Sequence, residues 1–345
     1  MSPDPQLQSP FVATLPREIR DLVYLELWRS HGLRQHIFRH GGISNPQHIC
    51  HWPCITAFQV EDKLQEKIEE LRCQLGVTVG HGIENTPHCR HLQSPWLNHW
   101  MCGQQAETIY GIEAVHAMTT SATSCWRANK RLHNAPPLRA PYIPMLLSCK
   151  IISSECLRSI YESTTFIFTD MLALPMFVGF CDTPPPMKPL PTMLSLPLEC
   201  FKYTRSLELS LSADFPIMLP CANALDRRSG HPHDVYDFHW LRLDQFQNLS
   251  NLNIWIAARG NLRRSGECYK ECDFVCVNQL DIDALRRALA SFSRVDSVTL
   301  STPLGGNIGP EDGYVEGIAA PGIRVWKRGT GDRFHPTLIP IELIV

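Results

Sequence analysis

Three short apolar runs in the second half of the chain constrain its fold more than any other feature. The runs occupy 206–211, 252–257 and 295–300, and their first residues lie 46 and 43 positions apart. Each has the length and apolar character of a buried strand. An amphipathic helix over 281–292 precedes the third run. Strand, helix, strand in that order predicts a right-handed crossover, so the sheet is expected to be at least partly parallel.

Other segments extend this pattern. Residues 164–168 switch to β-branched and aromatic side chains, 323–327 form another candidate strand, and an apolar tail covers 338–345. A repeat of about 45 residues is also seen in leucine-rich solenoids, but the copies here share no sharp consensus. We therefore predict an α+β fold whose C-terminal sheet is mixed and partly parallel with crossover helices, and we rank leucine-rich-like strands second.

Amphipathic segments in the first half predict helices. The first begins after Thr14, which we assign as its cap, and it has Pro16 in its first turn. The second carries an apolar stripe over 64–75 and is expected to end at Gly76. The third, 145–161, has a wide apolar face that indicates burial.

The segments between these helices define the predicted domain organisation. Residues 30–57 lack sustained periodicity and are interpreted as a loop, and short helices are expected near 96–101 and 109–115. The predicted divisions are a loose leader at 1–14, a helical region at 15–181 with a His- and Cys-rich insertion at about 30–140, a Pro-rich linker at 182–193 and a C-terminal interaction domain at 194–345.

Charge and hydropathy exclude several classes of protein. Lys and Arg number 32 against 34 Asp and Glu, so no global basic field attracts nucleic acid, which we regard as an unlikely partner. The longest nearly apolar run, 171–181, is interrupted by Pro175 and is too short to span a bilayer. No basic start followed by an apolar core marks a secretory signal. We therefore expect a cytoplasmic or nuclear protein without membrane partners, whose 14 cysteines stay reduced.

The region 31–102 is enriched in potential metal ligands. It holds 14 of the 29 His and Cys residues of the chain. A zinc site is one hypothesis for its densest part, with a second pair at His88 and His91; that densest part consists of His48, Cys50, His51 and Cys54. A zinc module normally shows two tight pairs, however, and these cysteines have no matching pair. We therefore favour a metal-free interpretation and assign no metal ligand or cofactor.

A second group of thiols lacks a complete set of metal ligands, and the sequence lacks the common enzyme motifs. The thiols of Cys268, Cys272 and Cys276 recur every four residues, but they lack an evident fourth ligand, so packing is the preferred explanation. The chain contains no GxSxG, HExxH or GxGxxG motif and no phosphate loop ending in GK[ST]. A Cys and His pair assembled by the fold stays open. We assign no catalytic residue and expect no enzymatic activity.

Two motifs carry a resemblance to a known family. Residues 15–24 read LPREIRDLVY, which resembles the first helix of an F-box. Residues 146–155 read LLSCKIISSE, and 160–166 read IYESTTF. In this order, the motifs resemble a large fungal F-box-like family of unknown function. One departure is that an F-box packs its helices within a short segment, whereas a long insertion separates the motifs here.

The resemblance implies a function in protein recognition. An F-box protein docks on the Skp-type adaptor of a cullin-type ubiquitin ligase and holds its substrate protein with another domain. The residues that would contact the adaptor are Leu15, Pro16, Ile19, Leu22 and Val23. The predicted function is thus a non-enzymatic interaction module and substrate-recognition adaptor. The alternatives are a helix that only packs into its own domain and a zinc-supported structural module without a ligase role.

Overall fold

One eight-stranded sheet organises the described part of the chain. The computed structural model describes residues 9–40, 48–76, 91, 96–112, 142–171, 173–178, 199–212, 215–219, 221, 235–257, 280–318 and 320–328. The strands are β1 (Arg34–His40), β2 (His48–Pro53), β3 (Thr165–Phe168), β4 (Ser206–Leu211), β5 (Asn251–Ile256), β6 (Ser297–Pro303), β7 (Gly313–Tyr314) and β8 (Ile323–Arg328).

Helices connect these strands. They are α1 (Pro10–Ala13), α2 (Arg17–Arg29), α3 (Lys63–Leu75), α4 (Trp100–Tyr110), α5 (Tyr142–Leu146), α6 (Lys150–Ser163), α7 (Ala173–Val178), α8 (Glu199–Tyr203), α9 (Phe215–Met218) and α10 (Ile282–Ser291). Short 3-10 turns occur at Leu97–His99, His239–Leu241 and Leu243–Gln245. Among the described residues, no helix combines the length and the apolar character needed to cross a lipid bilayer.

The strand order largely follows the chain order. Across the sheet it is β2-β1-β3-β4-β5-β6-β8-β7. From β1 to β8 the pairing is parallel, and only β2 and β7 pair in an antiparallel way at the two edges. Parallel neighbours require a connection that returns to the starting end, which explains why helices such as α6 and α10 alternate with strands. The predicted α+β class with a mixed, partly parallel sheet is therefore confirmed.

The two faces of the sheet differ in chemistry, although both are buried. In β4, Leu207, Leu209 and Leu211 point to one face, because side chains alternate along a strand. That face belongs to the main apolar core, which α10 also covers. Glu208 and Ser210 point to the other face, and neither is exposed to solvent. A buried polar face needs polar partners for each of its groups.

An extended stretch that we call the crossing segment, residues 54–62, provides many of these partners. It leaves β2 at one edge of the sheet and passes over the polar face toward the opposite edge. The contacts that hold it are Arg34 Nε donating to the Thr56 carbonyl at 2.9 Å, Ser301 Oγ donating to the Val60 carbonyl, and Arg328 Nη1 at 3.4 Å from Asp62 Oδ2. Since these partners belong to β1, β6 and β8, the segment spans most of the sheet.

A separate contact fixes α2 against α6. The guanidinium of Arg20 donates through Nε and Nη2 to the two carboxylate oxygens of Glu155, at 2.9 and 2.7 Å. The hydroxyl of Tyr24 donates to the same carboxylate at 2.9 Å. One turn further along, Trp28 Nε1 donates to Ser159 Oγ at 3.0 Å. Charge-assisted bidentate bonds of this kind give orientation as well as energy, so α2 is held in one rotation about its axis.

Several sequence predictions are confirmed in position. The run 206–211 is β4, and those predicted at 252–257, 323–327 and 164–168 match β5, β8 and β3 within one residue at each end. The run predicted at 295–300 is β6, shifted toward the C-terminus. The predicted helix at 281–292 is α10, capped by the Asp281 carboxylate, which accepts a hydrogen bond from Ala284 N at 2.7 Å. Helix α3 ends at Gly76, whose φ of 61° lies in the left-handed region that glycine tolerates.

Other predictions are wrong. The stretch 30–57, interpreted as a loop, contains β1 and β2, which form a hairpin joined to β3. Its His- and Cys-rich strands lack clear alternation because polar and aromatic side chains are buried on them. The cap assigned to Thr14 is also wrong, because Pro16 occupies the N-cap position of α2 and Thr14 follows α1 as its C-cap. Residues 145–161 form two helices, since Cys149 is extended and caps α6 through its sulfur.

Some predicted features lie outside the described residues. They are the Pro-rich linker at 182–193, the thiols Cys268, Cys272 and Cys276, the apolar tail at 338–345, His88 and most of the first 14 residues. Strands from both sides of the predicted linker nevertheless pair in one sheet, because β3 and β4 are adjacent and parallel.

The α2–α6 contact generates a stability prediction. Replacing Glu155 with Ala removes the acceptor of the Tyr24 hydroxyl and of Arg20 Nε and Nη2, so that Arg20 keeps only the bonds from Nη1 to the carbonyls of Val12 and Leu15. We expect a loss of about 3–5 kcal/mol in the free energy of unfolding, the usual result of breaking a buried ion pair. Glu26→Ala on α2 is the matched control, since Glu26 pairs with Arg29 at the surface and should contribute at most about 1 kcal/mol. Equal losses in urea unfolding of the two variants would contradict this view.

The same carboxylate predicts a pH dependence. Burial alone would raise the pKa of Glu155, but hydrogen bonds from Arg20 and Tyr24 outweigh it and hold the pKa below the ordinary value of 4.5. A depressed pKa in the folded state adds stability that is present above 4.5 and is lost as the pH falls through the folded value. The stability difference between the wild type and Glu155→Gln should therefore narrow below pH 4.5. A difference that stays constant as the pH falls well below 4.5 would show that the carboxylate charge contributes nothing.

Candidate functional site

Four side chains that can ligate a metal meet on the polar face of the sheet. They are His36, Cys54, His99 and Cys102, and one ligand atom from each lies within 4.8 Å of all the others. His36 belongs to β1, Cys54 directly follows β2, and the other two lie around the start of α4. Two thiols and two imidazoles are thus assembled from the hairpin and from a helix far along the sequence.

Local geometry explains why the residues of the hairpin converge. The backbone N–H of Cys54 donates to the carbonyl of Arg34 at 2.9 Å, which extends the β1–β2 ladder by one pair. His36 lies two positions along β1 from Arg34. Residues two apart on a strand, and residues paired across a ladder, share a face. His36 and Cys54 therefore point to the same side of the sheet.

The other two residues come from a sharply turned entrance to α4. His99 and Cys102 are three positions apart, so they lie on the same side of the first helical turn. Leu97 precedes them with a φ of 50°, in the left-handed region that residues with a Cβ rarely adopt. Backbone strain of this kind persists where the surroundings impose it, and it is concentrated at functional sites.

Thiol and imidazole atoms are close together within the cluster. Cys54 Sγ lies 3.7 Å from Cys102 Sγ and 3.5 Å from His99 Nδ1. The hydroxyl of Thr56 lies 3.1 Å from the same nitrogen and 3.4 Å from Cys54 Sγ. All of these groups except Cys54 are buried, and Cys54 is half-buried.

Aromatic rings enclose the cluster. The ring of His36 meets those of Trp96 and His99 edge-on, at centroid distances of 5.0 and 4.7 Å. Trp96 also meets Phe38 edge-on at 5.1 Å and packs with Cys102 in one apolar cluster. The polar atoms therefore lie in a surrounding of low polarity, where interactions between them are strengthened.

A buried carboxylate orients one of the imidazoles. Glu208 Oε1 lies 2.6 Å from His99 Nε2, and its other oxygen, Oε2, lies 2.6 Å from Arg34 Nη2. The strand register explains this position, because His36 pairs with Ile167 on β3 and Ile167 pairs with Glu208 on β4. Glu208 thus lies in the same row and on the same face as His36.

Burial and mutual contacts shift the acidity of these groups. Burial lowers the pKa of His36 to about 4, although the Cys54 thiol acts in the opposite direction, so the ring is neutral near pH 7. Burial also lowers the pKa of His99, but the Cys54 thiol and Glu208 outweigh it and raise that pKa to about 9. The pKa of Cys54 falls because Cys102 and the two imidazoles stabilise its thiolate. Such a set can bind a cation with sulfur and nitrogen donors, or hold a thiolate beside an imidazolium.

Among the side chains that the structure describes, only one member of the hypothetical zinc site from the sequence belongs to the cluster. Cys54 joins the cluster, whereas Cys50 lies four residues earlier on the same face, about 13 Å away along an extended chain. His51 points to the opposite face, where its Nδ1 lies 3.0 Å from Gln35 Oε1. His91 lies near Glu107, at 3.7 Å, and is not part of the cluster. The tight spacing along the sequence is misleading because it falls on a strand.

His36, His99 and Cys102 were not predicted as ligands. The pair His99 and Cys102, separated by two residues, was the only compact signal, and it could have been combined with a single upstream cysteine. A charged residue inside an apolar strand, Glu208 in SLELSL, was a second signal of a buried polar partner.

The predicted partner-binding residues lie on the exposed face of α2. Ile19, Leu22 and Val23 are 43%, 60% and 42% exposed. They are spaced by three and four positions, so they form one continuous apolar patch, which we call the α2 patch. At the entrance to the helix, Pro16 is exposed and Leu15 is half-buried.

Packing around the site generates a further prediction. A Cβ added at Gly103 would lie 2.8 Å from Trp96 Cδ1 and 2.9 Å from its Cγ. Alanine favours a helix interior over glycine by about 1 kcal/mol, yet we expect Gly103→Ala to lower the free energy of unfolding by about 1–3 kcal/mol, because the core is overpacked. Gln104→Ala, at the exposed neighbouring position, is the control and should be neutral or slightly stabilising. A more stable Gly103→Ala protein would show that Trp96 does not need this close approach.

Comparisons with known proteins are the remaining source of information on function. No family model matches the chain, and neither a curated protein nor a solved structure matches it.

Proposed function

We propose that the chain is a non-enzymatic protein–protein interaction module that docks through the α2 patch. The observation that carries the proposal is the contrast between the two faces of α2. Tyr24 and Trp28 are buried against α6, whereas Ile19, Leu22 and Val23 face solvent. Three neighbouring apolar side chains on one helix face are typical of a helix that binds in a groove of a partner.

The fixed orientation of α2 favours docking energetically. Arg17, Arg20 and Tyr24 all contact the Glu155 carboxylate within 2.9 Å, so the helix is formed and oriented before a partner arrives. A pre-organised surface loses less conformational freedom on binding than a flexible one. Burial of apolar side chains then contributes about 25 cal/mol for each Å² removed from water.

The partner that we propose is a Skp-type adaptor of a cullin-type ubiquitin ligase. The two motifs that resemble the F-box-like family form one contact in this fold, because Arg20 and Tyr24 belong to the first and Glu155 to the second. The residues of the two motifs therefore form two sets. Arg20, Tyr24 and Glu155 hold α2 in place, whereas the α2 patch faces solvent. Leu147 of the second motif is exposed as well.

The rest of the molecule would then hold the substrate protein. In this proposal the C-terminal part of the sheet, from β4 to β8, carries the substrate-recognition surface, as in other adaptors of this kind. A cytoplasmic or nuclear location would allow the encounter with such a ligase. The alternative of a metal-supported module without a ligase role is favoured by the His36–Cys102 cluster, and its metal content can be measured independently.

Two lysine substitutions in the α2 patch test the proposal. Ile19→Lys combined with Leu22→Lys keeps good helix formers at exposed positions, so the thermal midpoint should change little. We expect affinity for a purified Skp-type adaptor, measured by calorimetry, to fall about thirtyfold or more, as for a hot spot of about 2 kcal/mol. Leu75→Lys is the matched control, because Leu75 is an exposed leucine at the end of α3.

Two results would reject this function. The unmutated chain could fail to bind any Skp-type adaptor, or the double variant could bind as tightly as the unmutated chain. The pair Leu15→Ala and Pro16→Ala adds a second readout at the helix entrance. Loss of binding with an unchanged midpoint supports docking, whereas a loss of about 2–4 kcal/mol in stability would assign that entrance to packing.

A further inference from the structure

We propose that His36, Cys54, His99 and Cys102 bind one zinc ion in a closed, four-coordinate site that cross-links the β1–β2 hairpin to α4. This inference does not depend on the docking function of α2. It rests on donor spacing, on the buried groups around the donors and on charge balance.

Two of the donor distances match a tetrahedral ion, and all four donor atoms lie within 4.8 Å of one another. Zinc binds thiolate sulfur at about 2.3 Å and imidazole nitrogen at about 2.0–2.1 Å, so a tetrahedral angle places two sulfurs about 3.8 Å apart and a sulfur and a nitrogen about 3.6 Å apart. The Cys54–Cys102 sulfur distance is 3.7 Å, and the distance from Cys54 Sγ to His99 Nδ1 is 3.5 Å. The sulfurs are also far beyond the 2.05 Å of a disulfide.

The chemistry of the donors selects the ion. Two thiols and two imidazoles suit zinc, whereas calcium and magnesium require carboxylate, carbonyl or water oxygens. The two thiolates balance the double charge of zinc, and both imidazoles are neutral ligands. Glu208 and Arg34 form a second neutral pair beside them. The whole buried assembly therefore carries no net charge, which avoids the large cost of burying an isolated ion.

Glu208 prepares His99 for coordination. Its carboxylate lies 2.6 Å from Nε2, so it favours the tautomer that carries its proton there and leaves Nδ1 free to bind the metal. Thr56 Oγ1 also lies 3.1 Å from Nδ1, and it is 3.4 Å from Cys54 Sγ. When zinc takes the nitrogen lone pair, this hydroxyl can donate to the thiolate instead.

His36 provides an independent indication of a ligand. The ring is completely buried, and neither of its nitrogens has a hydrogen-bond partner among the described residues. A buried polar group without a partner costs about 1–3 kcal/mol, and most buried polar side-chain atoms in proteins have one. Coordination would give this ring a direct bond, whereas the Cys54 sulfur, within 4.8 Å of it, makes no regular hydrogen bond to either nitrogen.

A structural role fits the enclosure better than a catalytic one. Cys54, His99 and Glu208 also form a chain of thiol, imidazole and carboxylate, as in cysteine nucleophiles. A nucleophile needs room for its substrate, however, whereas the sulfur of Cys102 lies 3.7 Å away and the Trp96 ring packs against the cluster. Four protein ligands leave no open coordination position, which is typical of structural zinc.

Metal content and cobalt substitution of the full chain test the inference. We expect the purified wild-type chain to contain about one zinc per molecule, and a chelator that removes it to lower the thermal midpoint. Cobalt added to the metal-free chain should give the intense visible bands of tetrahedral coordination and a thiolate charge-transfer band. Cys102→Ser should lose at least half of the intensity of that band, because one of the two thiolates is removed, whereas Cys50→Ser, which alters a buried thiol on β2 outside the cluster, should keep it in full.

The measurements on the wild-type chain and on Cys50→Ser decide the question even where one variant is unstable. If Cys102→Ser fails to fold, the cobalt spectrum and the chelator titration of the wild-type chain still decide the question. Absence of zinc and of the cobalt spectrum in the reduced wild-type chain would overturn the inference. Loss of the spectrum in Cys50→Ser would also overturn it, since the ligands would then be those near 48–54. Rapid alkylation of Cys54 in the zinc-loaded chain would indicate a reactive thiol instead of a ligand.

Discussion

One buried carboxylate determines how the polar face of the sheet is covered. Glu208 has no solvent exposure, and each of its oxygens lies 2.6 Å from a cationic or hydrogen-donating partner, Arg34 or His99. Removing one partner of a buried pair leaves a charge that costs several kcal/mol. Because Arg34 belongs to β1 and His99 to the turn before α4, this carboxylate holds both segments against the centre of the sheet. Thr56 of the crossing segment contacts both residues, Arg34 through its carbonyl and His99 through its hydroxyl.

The apolar half of the fold could be predicted from the sequence, because its signal is local. The strands β4, β5 and β8 and the helix α10 each show the period of their own secondary structure, and Asp281 caps its helix as such residues do. The hairpin of β1 and β2 could not be predicted. Its polar side chains lie against residues distant in the sequence, as Arg34 does against Glu208, so strand periodicity gives no guide to their burial.

The candidate sites differ in the same way: the α2 patch could be predicted from local sequence, and the ligand cluster could not. Ile19, Leu22 and Val23 were identified from a motif, and helical spacing places them on one face without further information. The ligand cluster could not be predicted without the fold, because Cys54 and His99 are far apart in sequence, and because Cys50 lies on the extended strand β2, about 13 Å from Cys54. The density of His and Cys indicated the right region but the wrong set, since only the tertiary structure decides which of these residues come within ligand distance of one another.

X-ray absorption at the zinc edge, measured on the purified, reduced chain, is the most direct test of the proposed zinc site. A zinc ion held by His36, Cys54, His99 and Cys102 should give two sulfur scatterers at about 2.3 Å and two nitrogen scatterers at about 2.0–2.1 Å, with imidazole multiple scattering and no water ligand. A shell rich in oxygen, a shell of four sulfurs, or no bound zinc would contradict it. Any of these results would show that the donors on the polar face meet for a reason other than the metal.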